Sequence, residues 1–356
     1  SDGGYGPNGN DDVISIGSYS GNGSSQKINI GFQPEFLLVK RLAGDSWPVV
    51  DHMRRFSQDE SPLMRTNSNG TESAPSAHVR PYTEGFEVYT GDGEWNYSGS
   101  NYVYMAIRSK KSTMPPVSAD EVFHASYGDA SYGLSYPESI LTTSMRVDMF
   151  INTSGANNYA MDRMRSSTSN LHYLNVGDSA AETDGSDWRL DLGSTGVGYT
   201  TSRAEPNRPF QAWKRAPHFF AMSAWTGNGS SQYIPHDLGI KPDLIIVKKR
   251  DTNRSWIAYS SPMGATKYIE PDNSNAAGVV STVWGNIEPS NQWFHVQGNE
   301  SVNNSGAKYI GYSFGSVAGV SKISSYIGNN SSQTIDCGFS AGVQFILIKR
   351  LDSSGE

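Results

Sequence analysis

One stretch occurs twice almost unaltered and a third time in looser form, and any fold for this chain has to accommodate it. It runs first from Tyr19-Ser20-Gly21-Asn22-Gly23-Ser24-Ser25-Gln26, through Ile28 and Ile30, to Phe36-Leu37-Leu38-Val39-Lys40-Arg41. It returns as Trp225-Thr226-Gly227-Asn228-Gly229-Ser230-Ser231-Gln232, closing on Leu244-Ile245-Ile246-Val247-Lys248-Lys249-Arg250. The third copy opens at Tyr326-Ile327-Gly328-Asn329-Asn330-Ser331-Ser332-Gln333 and closes on Phe345-Ile346-Leu347-Ile348-Lys349-Arg350. Gly and Asn tolerate positive φ, so Gly-Asn-Gly forms a tight turn. The alternation after it (Ile28, Ile30; Ile335, Cys337) fits a half-buried strand, and the apolar run before Lys and Arg fits a strand buried on both faces.

The spacing sets the architecture. From Gly21 to Gly227 is 206 residues and from Gly227 to Gly328 is 101, so the first interval holds two periods and one copy is disguised. A period of roughly 100 residues is too long for a solenoid turn and suits a complete small β domain. The expectation is an all-β chain of tandem antiparallel β-sandwich domains, jelly-roll-like, each with its own core. Leu37, Val39, Ile245, Val247, Ile346 and Ile348 are assigned to its central strands.

Residues 1–12 are rich in Gly, Asn and Asp and read as a linker or arm. The first repeat spans 13–110, with Trp47-Pro48-Val49-Val50 and Gly85-Phe86-Glu87-Val88-Tyr89 as further strands. It closes with Asn96-Tyr97-Ser98-Gly99, a turn, into Tyr102-Val103-Tyr104-Met105-Ala106-Ile107. The third repeat, 217–316, follows the same plan, and Ser305 lies 207 residues after Ser98. Two landmarks at opposite ends of a unit keeping one offset is evidence of duplication. The divergent second repeat is placed at 118–216, where Val147 to Ile151 stand for the buried strand and Phe210 to Lys214 for the closing one. Its Tyr159-Ala160-Met161-Asp162-Arg163-Met164-Arg165 parallels Val49-Val50-Asp51-His52-Met53-Arg54-Arg55. Residues 319–356 read as the start of a truncated fourth repeat, in a chain taken to be a piece of something longer.

Charged residues make up 18% of the chain, below the usual quarter or so. A formal charge of −7 lacks the basic stripe of a nucleic-acid-binding surface. One cysteine, Cys337, excludes an intrachain disulfide framework and any multi-cysteine metal site. No run of about 18 apolar residues is present, so no membrane span is expected.

A search for chemistry finds little. The seven histidines are scattered, without metal-ligand spacing, and read as surface or turn residues. No nucleophile elbow or Walker loop is present, so no catalytic residue, cofactor or metal is assigned. Asp92 and Glu94 could hold calcium, but their spacing does not complete a 12-residue calcium loop, and an ordinary polar turn is the simpler reading. Trp47 and Trp256 lie mid-strand and read as core plugs. Trp95, with Tyr97 and Asp92 beside it, is open to two readings: core plug, or a ring on which a sugar face stacks while hydroxyls find polar partners.

The Gly-Asn-Gly-Ser turn, the buried strand ending in Lys and Arg, the Trp strand, and Asn-x-Ser-Gly before a Tyr-rich closing strand together carry a likeness. The pattern resembles tandem domains of uncharacterised function in tail and other virion structural proteins of marine bacteriophages. That resemblance implies a virion component of tail fibre, tail or baseplate type, with other virion proteins as partners, and it implies no reaction. The expected role is a spacer that also contacts a host surface, host glycan included, as a homo-oligomer, most plausibly a trimer. A tail-associated polysaccharide depolymerase and a bacterial surface adhesin or lectin are the alternatives.

Overall fold

A closing strand that must reach back across a whole domain explains how the sequence pattern folds. The computed structural model describes residues 4–5, 11–54, 56–59, 61–73, 78–89, 91–108, 114–127, 139–142, 146–154, 157–165, 171–185, 190–192, 196–199 and 209–354. By contacts the chain divides into two compact units, one of residues 1–114 with 162–172 and 185–187, the other of 115–161, 173–184 and 188–356.

In the first unit the strands of the first repeat are β1 (Ile14–Ser20), β2 (Gln26–Asn29), β3 (Pro34–Arg41), β4 (Pro48–Asp51), β5 (Met64–Arg65), β6 (Val79–Tyr82), β7 (Gly85–Val88) and β8 (Asn101–Arg108). They form an antiparallel sheet in the order β1-β8-β3-β4-β5 and a second in the order β2-β7-β6. Side chains alternate along each strand. The inward set, Leu37, Val39, Val50, Phe86, Val88, Trp95, Tyr102 and Ala106 among it, packs as one core between the sheets. This is an antiparallel β-sandwich.

The outward set is unusual. The register places Ile16 opposite Met105 and Met105 opposite Leu38. An apolar row thus crosses the outer face, where Ile14 is 51% and Ile16 76% exposed.

The second unit holds two further sheets. The second repeat supplies β9 (Phe123–Tyr127), β10 (Met149–Ser154), β11 (Asn157–Asp162), β12 (Leu171–Asn175), β13 (Thr183–Gly185) and β14 (Pro209–Trp213), in the order β9-β14-β10-β11-β12-β13. The third supplies β15 (Phe220–Thr226), β16 (Gln232–Pro235), β17 (Leu244–Lys249), β18 (Ile257–Ser260), β19 (Trp293–Val296) and β20 (Lys308–Phe314). Its main sheet runs β15-β20-β17-β18 and its smaller one pairs β16 with β19. All three main sheets therefore share one order: the last strand of the repeat lies between its first strand and its apolar strand. The Asp-x-Met-Arg parallel also has a structural counterpart. Asp162 pairs with Arg165 at 2.7 Å, both side chains fully buried, where Asp51 pairs with the partly exposed Arg54.

Separate cores describe the first repeat but not the whole second unit. The outer row of the third repeat, Met222, Tyr312 and Ile246 in register, is covered rather than open. Trp213 from β14 meets Phe219, Phe220 and Phe314 with ring centroids 5.6–6.2 Å apart. The Trp256 indole also donates to the carbonyl of Asn175, and Arg250 forms a buried ion pair with Glu182 at 2.7 Å.

Two expectations are corrected. No strand forms in residues 319–356, where Ile346 is 69% and Ile348 60% exposed although the equivalent Leu37, Val39, Ile245 and Val247 are fully buried. The physical reason lies in the strand order: the apolar strand pairs with the closing strand, and nothing in that segment supplies one. Trp47 is 40% exposed under the Lys40 ammonium, while Trp256 is buried as expected.

Truncating a central strand should therefore separate the copies. Leu37→Ala and Ile245→Ala are expected to cost about 2–5 kcal/mol each, the range for large-to-small core changes. Ile346→Ala should stay within about 0.5 kcal/mol, as at exposed positions. Urea unfolding followed by tryptophan fluorescence checks the difference.

Candidate functional site

The sequence signatures converge on one place in each complete sandwich, where the opening turn meets the turn before the closing strand. In the first repeat the Gly21 amide donates to the carbonyl of Ser100 at 2.7 Å, Gly99 donates to Gly21 at 3.0 Å, and Gly23 donates to Asn96 at 3.0 Å. The third repeat repeats these bonds as Gly227 to Ala307, Gly306 to Gly227 and Gly229 to Asn303, at 2.8–2.9 Å. A Cβ on Gly21 would lie 2.3 Å from the Tyr97 carbonyl oxygen, and one on Gly227 2.1 Å from that of Asn304. Only glycine allows this approach of backbone to backbone.

At the centre of each site is one buried asparagine. Asn96 accepts from the Asn22 amide at 2.9 Å and from the Gln26 side chain at 2.8 Å, and donates to the Asn22 side chain and the Ser24 carbonyl. Asn303 accepts from the Asn228 amide at 3.0 Å and donates to the Asn228 side chain and the Ser230 carbonyl. An aromatic pair braces each clasp from inside. Tyr19 stacks on Tyr102 at 4.9 Å and Trp225 on Tyr309 at 5.4 Å. Tyr19 donates to the Trp95 carbonyl, as Trp225 does to that of Val302. The Tyr102 and Tyr309 hydroxyls each accept one backbone N–H, from Tyr97 and Asn304, and donate to one carbonyl, of Gly93 and Glu300. Burial holds these phenols protonated: it pushes Tyr19 and Tyr102 up, and Tyr309 up to about 12.

The three residues singled out for sugar contact lie at this clasp and separate there. Trp95 is fully buried in the sandwich core, which corrects the reading of an open ring. Its backbone closes the turn, with the Trp95 and Asn96 amides donating to the Asp92 carbonyl, so its side chain is aimed inward. Tyr97 is 52% exposed, with the Arg41 guanidinium 4.7 Å from its ring centre. The Asp92 carboxylate accepts the Glu94 amide at 2.8 Å, and Glu94 holds Arg65 through both oxygens. Both acids are thus engaged in an ordinary polar turn. Among the remaining tryptophans, Trp284 is buried, and Trp293 meets the 52% exposed Tyr233 edge-on at 4.5 Å.

The histidine reading also needs correction, because His236 and His295 are buried. His295 Nδ1 lies 2.9 Å from the Trp284 carbonyl and Nε2 2.7 Å from the Ser231 hydroxyl. A carbonyl accepts only, so the proton sits on Nδ1 and Nε2 accepts from Ser231. The first repeat has Ser25 donating to Glu87 at the same register position. The serine clip therefore belongs to the fold, with the acceptor varied. Lys248 is also buried, its ammonium donating to the carbonyls of Ser179 and Arg254, and burial lowers its pKa to about 8.

These features define an all-β protein of repeated antiparallel sandwiches locked by a conserved-in-copy clasp. The chain belongs to a family described as a domain of unknown function, DUF7483, whose pattern matches residues 13–110 and 216–356, more than half of the chain. The unmatched interval contains the repeat whose opening signature is lost. No curated protein matches the chain. Among the described residues no helix is long and apolar enough to cross a membrane.

The pairing of Asn22 with Asn96 was not anticipated from sequence, although a signal existed: both motifs recur at nearly one offset. Removing the clasp tests its weight. Asn96→Ala and Asn303→Ala each strand several buried partners and should destabilise their repeat by about 2–3 kcal/mol. The exposed Asn101→Ala should cost less than about 0.5 kcal/mol. Thermal unfolding of the three variants provides the comparison.

Proposed function

We propose that this chain is a structural component of a bacteriophage virion, of tail fibre, tail or baseplate type. In that role its repeats act as spacers and make weak, multivalent contact with a host surface. The observation that carries the reading is where the repeated residues go. Gly21, Asn22, Asn96 and Tyr102, and their counterparts Gly227, Asn228, Asn303 and Tyr309, are engaged in closing each sandwich. Material repeated for architecture suits a spacer. The resemblance to marine phage virion domains adds the setting, an extracellular particle.

Two exposed aromatic groups suit surface contact: Tyr97 with Arg41, and Tyr233 with Trp293. They replace Trp95 as the candidate glycan platform, because each offers a ring to a sugar face beside polar groups. Feeble sites of about millimolar Kd gain avidity when many act together. The open apolar row Ile16, Met105 and Leu38 favours assembly, since the matching row of the third repeat is covered; a homotrimer is the form proposed.

Ser231 with His295 favours a second, catalytic reading, because a serine hydroxyl donating to an oriented imidazole is the start of a nucleophile. The matching Ser25–Glu87 pair weighs against it.

One experiment addresses these readings together. Assembled protein, a trimer by light scattering, is applied to arrays of host glycans and envelope extracts beside Tyr97→Ala and Tyr233→Ala. Binding weakened at least several-fold by either substitution, without turnover, is expected. Absence of binding throughout would leave a spacer only, and polysaccharide cleavage lost in Ser231→Ala would replace this reading with a depolymerase.

A further inference from the structure

We propose that residues 319–356 are a preformed acceptor for a closing strand of this family's own signature, which would enter between the opening segment and the apolar run. The first ground is that the opening turn is already built. Asn329 accepts the Ser331 amide at 2.9 Å, as Asn22 and Asn228 accept those of Ser24 and Ser230 at 2.8 and 2.9 Å. Gln333 donates to the Ile327 carbonyl as Gln26 does to that of Ser20. Asn330 takes φ 58° where Gly23 and Gly229 take 74°. Downstream, Asp336 accepts the Gly338 amide as Asn29 accepts that of Gly31, both glycines at positive φ.

The second ground is what remains open. In both complete repeats the asparagine of the opening turn is met by a buried asparagine from the closing turn, and Asn329 has no such neighbour among the described residues. Ile327 is 90% exposed, and Ile346, Leu347 and Ile348 are each 60% exposed or more. In the complete repeats the corresponding run pairs along its length with the closing strand, Leu37 opposite Ala106 and Ile245 opposite Ser313.

The third ground is that the run is held rather than loose. The Leu351 carbonyl accepts the Ala277 amide at 2.9 Å, the Lys349 ammonium reaches the Asn273 carbonyl, and Phe345 packs edge-on against Trp213 at 5.5 Å. An apolar edge fixed in place and unpaired is a template for strand addition. The three main sheets specify what fits it: an Asn-x-Ser-Gly turn followed by a strand with inward tyrosine, as in residues 96–108.

The test adds a labelled synthetic peptide of residues 96–108 to the full chain. Saturable binding, with new hydrogen-exchange protection at residues 327–333 and 345–350, is the expected result. Replacing the peptide's asparagine by alanine, or Asn329→Ala or Ile348→Asp in the protein, should weaken binding at least about tenfold, or 1.4 kcal/mol. A peptide of scrambled order should not bind. Protection confined to the first or third repeat would overturn the proposal, as would binding indifferent to Asn329→Ala and Ile348→Asp. So would self-association of the chain through 345–350, which would make a second copy the occupant.

Discussion

Every complete sandwich in this protein depends on a strand made last and placed in the middle. The opening strand and the apolar strand of a repeat are close in sequence, yet they share no ladder with each other; each pairs with the closing strand between them. The contacts that close the sheet therefore span most of a domain, 74 residues from Asn22 to Asn96 and 75 from Asn228 to Asn303. Bringing such distant segments together carries a loop-closure cost that local structure does not repay. The buried asparagine and the stacked aromatic pair sit at the end of the ladder where the strand enters, so they hold the register that sets which side chains face the core.

This constraint accounts for the differences among the copies. Where the closing strand is present, Leu37 and Ile245 are sealed. Where the segment carries only the opening turn and the apolar run, the turn keeps its local hydrogen bonds and the run stays exposed. Local bonds need only neighbours in sequence, whereas a ladder needs a partner. The second repeat keeps the strand order while losing the opening signature, and its buried Asp162–Arg165 pair occupies the place of a half-exposed pair in the first. A fully buried ion pair depends on good geometry, which suits a segment enclosed by its neighbours.

Much of the fold was legible because β structure writes itself as alternation and turns. The tight turns, the apolar strands, the duplication and the disguised second sheet all follow from spacing and residue type. What spacing does not encode is which strands lie side by side. Ile346 and Ile348 read like Leu37 and Val39, and only the strand order explains why one pair is buried and the other is not. Trp95 illustrates the same limit at the candidate site. Beside Asp92 and Tyr97 it looks like part of an open platform, but the turn that presents Tyr97 outward aims Trp95 into the core. Conversely, Tyr233 and Trp293 lie 60 residues apart in sequence, and only the pairing of β16 with β19 brings them together.

The most direct test of the closing strand's role is native-state hydrogen exchange followed residue by residue. If that strand and its clasp hold each sandwich, the amides of Tyr102, Tyr104 and Ala106 should exchange only with global opening of the first repeat, together with those of Gly21 and Gly23. The amides of Tyr309, Gly311, Gly227 and Gly229 should behave likewise in the third. Closing strands that exchange well before the β3–β4 and β17–β18 pairs would show that the sandwiches stand without them, and would contradict the account.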